Sequence, residues 1–94
     1  MSALTAKTTA RIQGTHDAWR VIPPDHDEQG VTTCIVRLAI EGSPDAGFHL
    51  VKDPEGFFPA DEWYATQREA LEAAFEDFGV TEADWSVEDR ARGE

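Results

Sequence analysis

The sequence predicts an α+β domain, an antiparallel sheet of three to five strands with one main C-terminal helix packed on one face. Three observations predict it. Cys34, Val36, Leu38 and Ile40 alternate with Thr33, Ile35, Arg37 and Ala39, the period of two that marks a half-buried strand. Leu71, Ala74, Phe75 and Phe78 recur at helical spacing between a capping-box pattern, Thr66-Gln67-Arg68-Glu69, and a glycine stop, Gly79. The chain of 94 residues has room for one core, so these elements share a single domain spanning residues 1–94.

The elements follow in order. Residues 1–8 are small and polar and are expected to be loose, as are residues 86–94. Thr9 to Gln13 and Ala18 to Ile22 read as short strands around Gly14-Thr15, with Trp19 and Val21 on one face of the second. Pro23-Pro24 stops that strand, because proline donates no hydrogen bond to a ladder. An acidic loop, Asp25 to Gly30, leads into the strong central strand. A turn-rich connection, Glu41 to Gly47, precedes a strand from Phe48 to Lys52. Asp53-Pro54-Glu55-Gly56 fits a type I turn, and Phe57 to Tyr64 returns as the next strand, with Pro59 at an edge or a bulge. The helix spans Thr66 to Phe78, with Leu71, Ala74, Phe75 and Phe78 as its core face. Thr81 to Asp84 forms a second short capped turn that brings Trp85 back onto the helix.

Charge narrows the function classes. The net charge is −11, and residues 53–94 hold thirteen of the nineteen acids against three bases. Nucleic acids and anionic membranes are recognised with Lys and Arg, so neither is an expected partner. No apolar run approaches the ~20 residues of a membrane span. The chain start lacks the basic and apolar regions of a secretion signal, which makes a cytoplasmic location the expectation. Cys34 is the only cysteine, which leaves no internal disulfide.

Few residues suggest chemistry. Asp25-His26-Asp27-Glu28-Gln29-Gly30 starts like a calcium loop, but the twelfth position, where a bidentate glutamate belongs, is Val36. Asp25, His26 and Asp27 remain the candidates for a metal-dependent or acid–base enzyme, with His16-Asp17 as another pair. His49 stands on the outer side of its strand, and Cys34 lies on the apolar face, where burial suits it better than nucleophilic attack. No glycine-rich phosphate loop follows a strand. The reading is therefore of a protein without a catalytic site, cofactor or metal.

The segment from Gly47 to Trp85 resembles a group of small uncharacterised bacterial proteins. The resemblance rests on Asp53-Pro54-Glu55-Gly56, Asp61-Glu62-Trp63, Glu69-Ala70 with Glu72-Ala73, Phe78-Gly79-Val80 and Asp84-Trp85. It covers less than half of the chain. It implies a twisted antiparallel sheet covered by one helix and carries no established activity. In that group a histidine often follows the first tryptophan; Tyr64 stands there in this chain, so no role of that histidine carries over.

The function expected from these residues is a small acidic protein-binding or inhibitory module, with a homodimer among its partners of choice. A basic protein would meet the helix acids Glu69, Glu72 and Glu76, which line up along one side and face away from Phe75. The second expected surface is the uncovered sheet face, with Trp19 and Ile35 at its centre and Val21, Val51 and Phe58 nearby.

Overall fold

The computed structural model describes residues 2–23, 25, 26 and 28–89. Six strands and one helix succeed one another: β1 (Ser2–Thr15), β2 (Ala18–Ile22), β3 (Val31–Ser43), β4 (Gly47–Pro54), β5 (Ala60–Tyr64), α1 (Gln67–Phe78) and β6 (Ser86–Asp89). A single 3-10 turn, Glu82–Asp84, precedes β6. The strands form one antiparallel sheet in the order β2-β1-β3-β4-β5, and β6 pairs with the start of β1.

β3 is the spine of the sheet because its alternation leaves one fully apolar side. Val36, Leu38 and Ile40 are buried there, and the register sets Leu38 between Ala6 and Lys52 and Ile40 between Leu4 and Leu50. Residues opposite one another share a face, so this register gathers Ile12, Val36, Leu38, Ile40 and Leu50 on one concave side. A flat sheet would hold β2 and β5 about 19 Å apart, at about 4.8 Å per strand. Here the segment before β5 reaches the β1–β2 turn: the Phe58 amide donates to the His16 carbonyl at 2.8 Å, and the Trp19 indole donates to the Phe58 carbonyl at 2.8 Å. Rings of Phe57 and Phe58 approach His16 at 6.3 and 6.5 Å. These contacts tie the two ends of the curled sheet, a half-barrel, together.

This architecture corrects the α+β expectation. The chain is mainly β, 55% strand against 18% helix, and α1 follows the strands without forming a layer over a sheet face. It adds only Ala70 and Ala74 to the buried core. The expected core stripe is displaced round the helix: Phe75 is 57% exposed, and Leu71 and Phe78 are half-buried. The reason lies in the strands. β1 runs for 14 residues and its partners fill the concave side, so small alanines suffice where the helix approaches.

The loose ends expected at both termini are corrected over the described part. Leu4 to Thr8 pair with β3, and Ser86–Asp89 pair with Ser2–Thr5; residues 1 and 90–94 lie outside the described residues. The turn after β4 is also shifted by one residue. The Phe57 amide donates to the Pro54 carbonyl at 3.1 Å, which puts Gly56, at φ 88°, in the third turn position. The helix ends themselves match the sequence reading. The Thr66 hydroxyl accepts from the Glu69 amide, the Glu69 carboxylate accepts from the Thr66 amide, and Gly79 caps the far end at φ 70°.

Candidate partner-binding site

The chain from α1 to β6 builds an acidic groove with an apolar floor. Val80, buried, and Trp85, half-buried, return along α1 after Gly79 and face Leu71 and Phe75. Glu72, Glu76 and Glu82 line its rim with Arg68, and the open groove holds about 750 Å³. Phe75 is the exposed aromatic of the floor. Glu72 and Glu76 thus share a groove with Phe75, whereas the sequence reading had them facing away from it.

A second acidic surface lies on the other side of the helix ridge, where Glu62 and Tyr64 of β5 meet Glu69, Glu72, Glu76 and Asp77. Its field is visible in Tyr64, whose phenol is pushed up by burial and then by the charges of Glu62, Asp77 and Glu76. Glu62 moves the other way. A hydrogen bond from the Lys52 ammonium, the main cause, holds its carboxyl below the ordinary value despite some desolvation. Lys52 reaches there from the concave face with a side chain only 12% exposed.

The acids also sit against the helix dipole. Glu76 and Asp77 occupy the last turn of α1, the negative end, and that turn contains no basic residue. Each such placement costs a few tenths of a kcal/mol, and Glu72 and Glu76, four residues apart, repel by about as much. Three described bases are paired elsewhere, Arg20 with Glu28, Arg37 with Glu55 and Lys52 with Glu62, and Arg68 is the base on the groove's rim.

The other expected surface does not assemble. Trp19 stands opposite Gly14 and packs against the concave core, whereas Ile35 stands opposite Thr9 on the convex face, 37% exposed. The two residues are on opposite sides of the sheet. The convex face instead carries Trp63, 57% exposed. Its indole donates to the Ala46 carbonyl at 3.1 Å and lies flat on Gly47, whose missing Cβ would sit 2.3 Å from Nε1. His49 Nδ1 is 2.9 Å from Asp61 Oδ1 beside it.

The groups read as candidates for chemistry stay apart. Asp25 and His26 are exposed, and Asp27 lies outside the described residues. Asp17 accepts from the Thr15 hydroxyl at 3.0 Å, while His16 packs its ring on Phe57 and Phe58. Cys34 is half-buried, and burial pushes its thiol up, away from the thiolate that nucleophilic attack requires. Among the described residues no three His, Cys, Asp or Glu side chains form a group that could hold a metal ion. No described helix is long and apolar enough to cross a membrane.

Comparison of the chain with family models, with curated proteins and with solved structures gives no match. The fold and the grooves must therefore speak for themselves. What α1 and the returning strand form is an acidic surface around an exposed aromatic ring, and neither Trp85 nor Glu82 was read from the sequence as part of it. The signal available was the placement of Phe75 three residues after Glu72 and one before Glu76, an aromatic inside an acidic series.

Proposed function

We propose that this protein is a small binding module, cytoplasmic, that holds a basic and partly apolar segment of a protein partner in the groove along α1. One observation carries the reading: Phe75, 57% exposed, stands among Leu71, Val80 and Trp85 with Glu72, Glu76 and Glu82 around it. An aromatic left in water beside acids that form no ion pair with a described base matches the anchor-and-rim pattern of interfaces, in which a ring fills the partner and charges align it. A basic partner would also neutralise Glu76 and Asp77 at the unfavourable end of the helix. Inhibition of a basic protein is the form of binding that this charge pattern fits best.

The test is capture from the native cell extract with the immobilised protein, at low and at high salt, followed by the double reversal Glu72→Lys with Glu76→Lys. The expected result is a captured protein that is lost at high salt and lost to the reversed variant, whose helical signal is unchanged. Equal capture by the reversed protein at low salt would remove the acidic groove from the function.

A further inference from the structure

β1 has a gap in its hydrogen bonding on one edge. β2 pairs with Arg11–Thr15 and β6 pairs with Ser2–Thr5, both antiparallel and in line with one another. Among the described residues, residues 6 to 10 pair with β3 alone. At about 3.4 Å per residue this gap is about 17 Å long. Its ends are built. Pro23 cannot continue β2, and Arg11 Nη1 donates to the Pro23 carbonyl at 2.9 Å, fixing where the chain turns away. At the other end the turn before Trp85 delivers Ser86 to Thr5.

An open cleft of about 440 Å³ lies along the same edge. Thr9 and Ala10 form its strand side, Ile22 and Pro23 one flank, and Phe75 and Phe78 the other. Backbone donors and acceptors in a strand edge repeat at a spacing that only another extended chain matches, so the edge itself selects the ligand's conformation. The cleft selects its side chains: alternate residues would turn toward Phe75 and Phe78, and the rest toward the face of Thr9 and Arg11, which Ile22 shares through its register with Arg11.

Two other occupants fit worse. β6 itself runs from Thr5 toward Ser2, away from the gap, and does not fill it. The other free edge of the sheet, β5, follows Pro59 and carries Asp61 and Glu62, features that discourage strand addition, and so makes a poor donor from a second copy.

We infer that residues 6 to 10 of β1 accept an extended segment of a partner protein, which fills the file between β2 and β6 with small or β-branched apolar residues turned toward Phe75 and Phe78. This deepens the protein-binding reading above, on which it rests, by naming the backbone the partner engages. Phe75 lines both the acidic groove and this cleft, so one partner would run from one into the other.

The test is a titration of the isotope-labelled protein with the neutral peptide acetyl-Thr-Val-Thr-Val-Thr-amide, followed by amide NMR. Saturable shifts confined to residues 6–10, Ile22, Phe75 and Phe78, with a midpoint near about 1 mM, are expected, and a copy N-methylated on alternate residues should leave them unmoved. No shift at about 5 mM, or equal shifts with the N-methylated copy, would overturn the inference. Because the peptide has no charge and Glu72 lies outside this cleft, its binding should survive Glu72→Lys. Extract capture that persists in the doubly reversed protein, with the parent binding the peptide, would fault the acidic groove alone; capture lost to that variant, with no peptide binding by the parent, would fault the strand site alone.

Discussion

Truncating Leu50 and Phe75 to alanine in separate variants measures where this domain keeps its stability. Leu50 is 0% exposed and stands in the sheet between Ile40 of β3 and Glu62 of β5. Hydrogen-bonded strands on both sides hold the walls of the hole that truncation leaves, so Leu50→Ala should cost about 3 to 5 kcal/mol. Phe75 is the larger side chain but is 57% exposed. If a full phenyl buries about 200 Å², this one hides about 90 Å², and at about 25 cal/mol per Å² its loss comes to about 2 kcal/mol as an upper bound. A domain of this size has a total stability of about 5 to 14 kcal/mol, so the two costs are well separated on that scale. Urea unfolding followed by tryptophan fluorescence reads both, provided the slope with denaturant is unchanged. A Phe75→Ala loss equal to or above that of Leu50→Ala would mean that the helix, and not the curled sheet, organises the core.

Two further substitutions probe the sheet. Gly47→Ala forces a side chain onto a backbone at φ 87° and into the Trp63 indole, 2.3 Å away, so it should cost about 3 kcal/mol and shift the Trp63 emission; a variant as stable as the parent would show that the indole does not rest there. Glu62→Gln tests the pair with Lys52 by its pH dependence. The folded pKa of Glu62 lies below its ordinary value of 4.5, so the pair's contribution is present above that pH and is lost as pH falls through the folded value. The difference in urea midpoint between parent and Glu62→Gln should be small, because the carboxylate is half exposed, full at neutral pH and absent in acid. A difference that persists unchanged at low pH would assign it to packing instead.

What the sequence made legible was local. The Thr66–Glu69 box, the Gly79 stop and the alternation of β3 depend on neighbours in the chain, and each appears in the structure as the residues specify. What it concealed was long-range. Ser2 to Thr8 is mostly Ala, Ser and Thr, with Leu4 and Lys7 among them and little contrast between its faces, and it becomes a strand because β3 and β6 supply partners from far along the chain. Ser86–Asp89 looks like a charged tail for the same reason. The helix stripe was misplaced because large apolar residues were assumed to point inward, whereas a core already filled by β1, β3 and β4 leaves space for Ala70 and Ala74 only. Trp19 and Ile35 were grouped by hydropathy, and pairing with Gly14 and Thr9 sends them to opposite faces. Of the expected site, the acids of α1 remain together, now with Phe75 among them.

The position of those acids bears on why the charge is there. Acidity that serves solubility alone can be spread anywhere on the surface, and it gains nothing from the end of a helix where the dipole opposes it. In this chain Glu76 and Asp77 stand at that end, and no ion pair among the described residues joins Glu72, Glu76 or Asp77 to a base. The nearby base Lys52 is committed to Glu62, and the exposed ring of Phe75 lies in the midst of the series. Each feature alone is tolerable at a few tenths of a kcal/mol, but all are relieved by the same event, the arrival of a cation attached to an apolar surface. A charge pattern tuned only against aggregation would bury Phe75 or replace it. Its retention in the open, beside uncompensated acids and next to the unpaired edge of β1, supports a surface shaped for a partner.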